Sequence, residues 1–305
     1  MDTDALRLFV LAADKLNISA AGRALGLAPS VASAWMSKLE RSVGADLLHR
    51  STRKVSLSTE GAEFLPYARD ILAREDAARA ALGQRHARAS GVLRFTAPST
   101  FAQLYIIPIL PAFMAEHPDL TLDMHLSDGQ LSLIEGSFDL ALRNAPLKDS
   151  NLRARKLATD ARVLCAAPRY LSEAGHPATP KDLEGHSLIA FRSTTAHRLV
   201  SAQGKMADFA PEMATCRLII NDGLSHKLAT LAGSGISINS LWSVQSELRS
   251  GALVRVLPDW AVAAETLLWL IYPQANVLSL KVRVFMDFLL DRIGKHPPWG
   301  DLAKA

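Results

Sequence analysis

The chain has 305 residues, a formal charge of +4, 49% apolar residues and 21% charged residues. That composition suits two or three domains with sizeable cores and excludes a disordered, collagen-like or low-complexity chain. Two cysteines, Cys165 and Cys216, are too few for a disulfide scaffold and fit a reducing compartment.

Residues 1–58 read as helical and then briefly extended. Leu6, Phe9, Val10 and Ala13 recur at helical spacing. Ser19 reads as the cap of a short helix through Leu25, which Gly26 stops. Pro29 and Ser30 open a further helix with Ala32, Met36, Leu39 and Val43 on one face, ending at Gly44. The basic stretch His49-Arg50-Ser51-Thr52-Arg53-Lys54 lies between Leu47-Leu48 and the alternating Val55 and Leu57, which predicts a small β-hairpin, or wing.

Residues 59–90 read as a long helix, with Thr59 as its cap, followed by a linker. Phe64, Ala68, Ile71, Glu75, Ala78 and Leu82 follow a heptad-like seam that Glu75 interrupts and Pro66 should bend. Packing on its own domain is one reading. The narrow apolar stripe between Arg69, Asp70, Arg74, Asp76 and Arg79 favours a second helix, so Phe64, Ala68, Ile71, Ala78 and Leu82 are expected to form a dimer interface.

From residue 91 to 294, strands and helices alternate. Strands are expected at 92–95, 120–126, 138–142, 162–166, 188–191, 216–220, 236–238, 253–256 and 267–272. Helices are expected at 101–116, 130–135, 222–232, 241–249 and 280–293. This is a mainly α/β pattern that predicts mostly parallel sheets, and roughly 200 residues exceed one comfortable sheet, so two lobes are expected. The domains are then 1–58, 59–90 and 91–305.

The layout of residues 17–61 is a helix-turn-helix, whose second helix can lie in a DNA major groove. Its outward positions, Ser30, Ser33, Ala34, Ser37, Lys38 and Arg41, are small or basic. Small side chains allow close approach to bases, and basic ones meet phosphates. Between Ile18 and Ser58, Arg23, Lys38, Arg41, Arg50, Arg53 and Lys54 outnumber Glu40 and Asp46.

These residues resemble the winged helix-turn-helix of the LysR-type transcriptional regulators. The resemblance is carried by Leu6-Arg7-Leu8-Phe9-Val10, Ser19-Ala20-Ala21, Leu25-Gly26-Leu27, Ser30, Ser33, Leu39-Glu40, Val43-Gly44, Leu47-Leu48-His49-Arg50-Ser51-Thr52-Arg53, Leu57 and Gly61. Ala34 departs from the Arg or Lys that family members often carry, Gly22 from Ala, and Ala28-Pro29 from a more polar pair. Trp35, Ser37 and the wing would then carry more of the recognition, although Trp35 is equally open to a packing role. The resemblance implies DNA contacts from Ser19, Pro29, Ser30, Ser33, Ala34, Trp35, Ser37, Lys38, Arg41, Arg50, Ser51, Thr52, Arg53 and Lys54.

The resemblance extends to the family's effector domain through Gly91-Val92-Leu93-Arg94-Phe95, Phe138-Asp139-Leu140-Ala141-Leu142-Arg143, the stretch from Asn221-Asp222-Gly223 to Gly235-Ile236, and Arg255-Val256-Leu257-Pro258. That domain is similar to periplasmic solute-binding proteins. It implies two lobes joined by crossovers, here near 162–167 and 265–272, with lobe I over about 91–162 and 268–294, lobe II over about 163–267 and a ligand cleft between them. It also implies a homodimer or homotetramer and, as partners, a double-stranded DNA operator, a small-molecule effector and RNA polymerase, with no cofactor.

Physics nominates the same cleft. Ser99 and Thr100 stand between a strand and a helix, where hydroxyls and free amides make an anion site or simply cap the helix. Ligands of α/β sheets collect at the carboxyl ends of strands. That adds Phe101, Ser127, Arg143, Asn144, Phe191, Arg192, Ser193, Asn221 and Asp222. Arg143 and Arg192 either bind a carboxylate or serve as structural arginines. A small organic anion is the expected effector.

Rival classes find less support. Asp222, Ser225 and His226 are neighbours on one helix and lack a nucleophile–base–orienter arrangement. The nine histidines show no metal-ligand spacing, and Gly233-Ser234-Gly235 lacks the third glycine of a dinucleotide loop. A redox sensor would need a reactive thiol, whereas Cys165 and Cys216 sit in apolar strand contexts. A free-standing solute binder would need export, and the acidic start Met1-Asp2-Thr3-Asp4 does not resemble an export signal. The longest uncharged run, 97–115, contains Pro98, Pro108 and Pro111, so no membrane partner and a cytoplasmic location are expected.

Overall fold

A computed structural model of the chain describes residues 2–50, 55–81, 89–129, 138–144, 152–191, 197–209, 215–263, 266–273 and 278–300. The chain divides into two compact units. One comprises Met1–Val92, Asp119–Thr121 and Ala275–Val284; the other comprises Leu93–Pro118, Leu122–Gln274 and Phe285–Ala305.

The first unit begins with α1 (Thr3–Lys15), α2 (Ile18–Ala24) and α3 (Pro29–Val43). Asp2 caps α1 through Asp4 N at 3.0 Å. The cap of α2 is Asn17, whose Oδ1 accepts from Ala20 N at 2.9 Å, and not Ser19, which lies inside the helix. Pro29 opens α3, where its missing N–H is an orphan in any case, and Gly44 ends it in the left-handed region at φ 79°. A two-stranded antiparallel wing, β1 (Leu48–Arg50) and β2 (Val55–Leu57), leads into α4 (Thr59–Ala81).

The expected cap Thr59 is also displaced by one residue. Ser58 Oγ accepts from Gly61 N at 2.8 Å and donates to Asp46 O at 2.6 Å, tying the start of α4 to the entry of the wing. A Cβ at Gly61 would lie 2.0 Å from Leu47 O, so this crossing requires glycine.

One core joins α1, α3, the wing and α4: Leu6, Leu8, Phe9 and Ala12 meet Met36, Leu39, Leu47, Leu65, Ala68 and Leu72. Each fully buried large side chain contributes about 1.5–3 kcal/mol. This corrects the expected dimer seam. Ala68 is fully buried inside its own unit, and Phe64 and Ile71 pack against the same core. Ala78 is exposed, and Leu82 lies outside the described residues. Leu65 and Leu72 widen the apolar stripe enough to seat α4 on α1. Glu75, the interruption of the seam, pairs with Arg7 at 3.0 Å and accepts from Thr3 Oγ1 at 3.2 Å, and Arg69 pairs with Asp14 at 2.9 Å.

β3 (Gly91–Ala97) passes from the first unit into the second and leads into a helical run from 99 to 116. This run comprises α5 (Ser99–Phe101), a π-turn over Ala102–Ile106, a 3-10 turn over Ile107–Ile109, and α6 (Leu110–Glu116). Pro108 and Pro111 have no amide donors, which shifts the ladder from α to π and 3-10 spacing. There follow β4 (Leu120–Leu126), β5 (Leu140–Arg143), β6 (Leu152–Asp160), β7 (Arg162–Ala166), α7 (Pro168–Ala174), β8 (Ser187–Phe191), β9 (His197–Ser201), β10 (Met206–Phe209) and β11 (Thr215–Ile220). The order is completed by α8 (Gly223–Leu231), β12 (Ser237–Ser240), α9 (Leu241–Ser250), β13 (Val254–Arg255), β14 (Trp260–Val262), β15 (Thr266–Pro273) and α10 (Leu280–Leu289).

Lobe I carries a five-stranded sheet in the order β4-β3-β5-β15-β6, and lobe II carries the smaller sheets β12-β7-β13, β11-β8 and β10-β9-β14. The α/β character is as expected, but the sheets are mixed. β3/β5 and β8/β11 are parallel. β15 runs antiparallel to β5 and β6, β12 and β13 to β7, and β10 and β14 to β9. The reason is the connection between lobes: β6 leads through Ala161 into β7, and β15 returns alongside β6 in the opposite direction. β6, β9, β10, β14 and α7 were not expected, and the helix expected at 130–135 lies outside the described residues.

Glu40 locks α3 to the wing and the residue before it. It is buried, and its Oε1 accepts from Leu47 N at 3.1 Å and Leu48 N at 3.3 Å. Glu40→Ala should lower the unfolding free energy by about 2 kcal/mol, since it strips two buried amides of a charged acceptor. Glu40→Gln, which keeps an acceptor oxygen, should lose less. Urea denaturation of the two variants checks the order.

Candidate DNA-binding face and effector cleft

On α3 the exposed positions are Pro29, Ser30, Val31, Ala34, Lys38, Arg41 and Ser42. Ser33 and Ser37 are half-buried, and Arg41 Nε donates to Ser37 O at 3.2 Å. Ser19 is half-buried in the first turn of α2. Trp35 is half-buried and packs against the core. Glu40 faces inward, so on α3 the exposed charges are the basic Lys38 and Arg41. Val31, 40% exposed, escaped the sequence reading although it stands off the Ala32–Met36–Leu39–Val43 stripe. An exposed apolar group there suits the methyl group of thymine. Arg50 ends β1. Ser51, Thr52, Arg53 and Lys54 lie outside the described residues.

In the second unit the lobes meet on one carboxylate. Ser99 N, at the start of the helical run, donates to Asp128 Oδ1 at 2.8 Å. Gly223 N, at the start of α8 in lobe II, donates to Asp128 Oδ2 at 2.6 Å. Asp128 sits in the turn after β4, where Ser127 N donates to Ala97 O at 3.0 Å and Ser127 Oγ accepts from Gly129 N at 3.2 Å. Asp222 caps α8 through Ser225 N at 2.7 Å and accepts from Ser99 Oγ at 3.3 Å. Hydrogen bonds from Ser225 hold the Asp222 carboxyl below its ordinary range, against the opposing effect of burial.

Thr100 lies behind this contact. It is 1% exposed, and its Oγ1 has no hydrogen-bond partner. A Cβ on Gly223 would stand 2.8 Å from Thr100 Oγ1 and 3.3 Å from Asp128 Oδ2, so α8 approaches this closely because it begins with glycine. Arg143 donates to Leu142 O at 2.8 Å and to Thr96 Oγ1 at 2.9 Å. Burial weakens its hold on the proton, and the negative charge of Asp128 opposes that effect.

Other nominated residues fall elsewhere. Phe101 is a core ring, packed edge-on against Trp242 at 5.1 Å and against Trp299 at 5.9 Å, which removes it from the ligand contacts. Beside it, Tyr105 OH donates to Trp242 O at 2.5 Å and accepts from Gln245 Nε2 at 2.8 Å. Asn144 donates to the buried Asp160, which also accepts from Ser240 Oγ at 3.1 Å. Phe191 stands edge-on to His226 at 5.7 Å, and Asn221 is exposed ahead of α8. Arg192 and Ser193 lie outside the described residues. Asp128 and Gly223 were missed as contacts, although the rule that nominated Ser127 at the carboxyl end of a strand reaches Asp128 one residue later.

Among the described residues, no group of three or more His, Cys, Asp or Glu is placed to hold a metal ion. No helix among them is long and apolar enough to cross a membrane. Burial pushes the Cys165 thiol up to about 11.

Comparison with known proteins agrees with this layout. Residues 3–62 match the bacterial regulatory helix-turn-helix protein of the lysR family, and residues 86–294 match the LysR substrate binding domain. A helix-turn-helix transcriptional regulator of Xanthomonas campestris is 33% identical over 289 residues, covering 94% of this chain and 84% of that protein. The structure of CrgA, a LysR-type transcriptional regulator from Neisseria meningitidis, matches with a TM-score of 0.61 at 28% identity, covering 95% of this chain and 98% of that one. The full-length virulence activator AphB of Vibrio cholerae matches with a TM-score of 0.59 at 26% identity, covering 96% and 100%. With a helix-turn-helix unit ahead of a substrate-binding domain, the chain belongs to the LysR family of DNA-binding transcriptional regulators and is not an enzyme.

Proposed function

We propose that this regulator binds a partly symmetric operator as a homo-oligomer in the cytoplasm, and that a small organic acid in the interlobe cleft shifts the oligomer's geometry on DNA. The observation that carries the effector class is the convergence of Ser99 N and Gly223 N on one carboxylate, beside a buried hydroxyl without a partner. Free amides at helix starts favour negative charge. The positive charge of Arg143 near Asp128 favours it further. A contact with RNA polymerase completes the reading as a transcription regulator. A cysteine switch has less support: Cys165 is buried and its thiolate disfavoured.

DNA contact is assigned to Pro29, Ser30, Val31, Ala34, Lys38 and Arg41, with Arg50, Ser51, Thr52, Arg53 and Lys54 of the wing. Self-association is assigned to the outer face of α4, where Tyr67 is 68% exposed. This replaces Phe64, Ala68 and Ile71, which the unit's own core uses.

Three measurements check these assignments. Lys38→Ala and Arg41→Ala should each weaken binding across sequences and reduce the salt slope by about 0.9 for every phosphate left without its cation. Val31→Ser should instead change sequence preference; fluorescence anisotropy over a salt series, on a fragment selected from the genome, separates the two effects. Tyr67→Asp should shift sedimentation toward smaller species while the melting temperature stays close to wild type, and an unchanged mass distribution would reject the α4 face. Thr100→Val removes a buried hydroxyl that has no internal partner, so it should leave the fold at least as stable. The same change should weaken an acid found by thermal-shift screening by roughly tenfold in calorimetry. Unchanged acid binding would remove Thr100 from the site.

A further inference from the structure

Asp128 occupies the position that a ligand carboxylate would take. We infer that it is a tethered competitor: a carboxylate of the chain itself fills the anion position between the lobes, and an acid effector binds by displacing it. The inference rests on the effector reading above and adds a specificity-determining residue to it.

The geometry of the contact is that of an occupied anion site. Each carboxylate oxygen takes one amide from one lobe, Oδ1 from Ser99 N and Oδ2 from Gly223 N. Both amides stand at the start of helical segments, where the helix itself supplies no acceptor. Their requirement is for an acceptor with negative charge, and a side chain or a ligand satisfies it equally.

Thr100 shows that the present occupant is incomplete. Its Oγ1 is buried without a partner, 2.8 Å from the point where a Gly223 Cβ would stand. Both Asp128 oxygens already serve the amides. A ligand free to choose its angle of entry can take the two amides and the hydroxyl together.

Asp128 is also placed to leave. It is half-exposed and sits in a turn beside Gly129, with no place in a hydrophobic core. Its departure requires a turn to rotate rather than a core to repack. While Asp128 is bound, the chain ties lobe I to lobe II; once it is displaced, the ligand forms that tie.

A tethered group competes at an effective concentration of millimolar or above. A bare monocarboxylate reproduces only what Asp128 already supplies and cannot compete at ordinary concentrations. The effector must bring further contacts, and its apparent affinity is lowered by the fraction of molecules in which Asp128 is seated.

The test uses the full chain as wild type, Asp128→Ala and Asp128→Asn. Thermal unfolding is followed in sodium acetate and in acetamide at constant ionic strength. Asp128→Ala should melt below wild type and regain about 3–5 °C in saturating acetate, with no response to acetamide. Wild type should respond to neither. Asp128→Asn keeps one acceptor oxygen and should respond less than Asp128→Ala, and it carries the test if the alanine variant does not fold. Equal acetate responses in wild type and variants, or an equal response to acetamide, overturn the inference.

An organic acid found by screening provides the second arm. It should bind Asp128→Ala at least tenfold more tightly than wild type. If Thr100→Val weakens that acid but Asp128→Ala leaves its affinity unchanged, the competitor fails and the effector cleft stands. If Thr100→Val has no effect, the cleft reading itself fails.

Discussion

A carboxylate shared by two peptide N–H groups from opposite lobes is the contact around which the effector domain is arranged. Helix starts present amides without internal acceptors, and a carboxylate is a strong way to satisfy them. Several sequence features serve that meeting. β4 ends so that the turn after it delivers Asp128 to Ser99 N and Gly223 N. Gly223 lets α8 approach where any Cβ would crowd Thr100. The aromatic cluster of Phe101, Tyr105, Trp242 and Trp299 packs alongside, holding the helix that carries Ser99.

The DNA-binding unit rests on a different constraint. Its helices are short, and α2 has only seven residues. Isolated helices of that size are marginal in water. α4 supplies the missing apolar surface through Leu65, Ala68 and Leu72. The ion pairs Arg7–Glu75 and Arg69–Asp14 fix its register on α1. The connecting helix is therefore part of the core of this unit, and Tyr67 is left on its exposed outer face.

Much of this was legible in residue order. Pro29 and Gly44 bracket α3 as expected, the wing strands pair across the basic stretch, and Asp222 opens α8. Two caps were misplaced because Asn17 and Ser58 each stand within two residues of another good capping residue, and only backbone geometry selects between them. The strands β9, β10 and β14 were missed because short edge strands carry little periodic signal. The parallel expectation failed because strand direction depends on how the chain returns between lobes, which local pattern does not encode.

The sequence by itself pointed to the family, by resemblance, and to the helix-turn-helix with its basic face and an α/β domain too large for one sheet. The elements follow from periodicity, turn chemistry and local spacing, and the family from motifs that resemble its members, each contained within a few tens of residues. Tertiary structure decided which face of α4 is buried, that Glu40 turns inward to the wing, and that Asp128 meets Ser99. Those outcomes depend on contacts between distant positions: 29 residues separate Ser99 from Asp128, and 95 separate Asp128 from Gly223. A side chain's partner at that range is set by how elements pack, because hydrogen bonds and close contacts act over a few ångströms, whatever the separation along the chain.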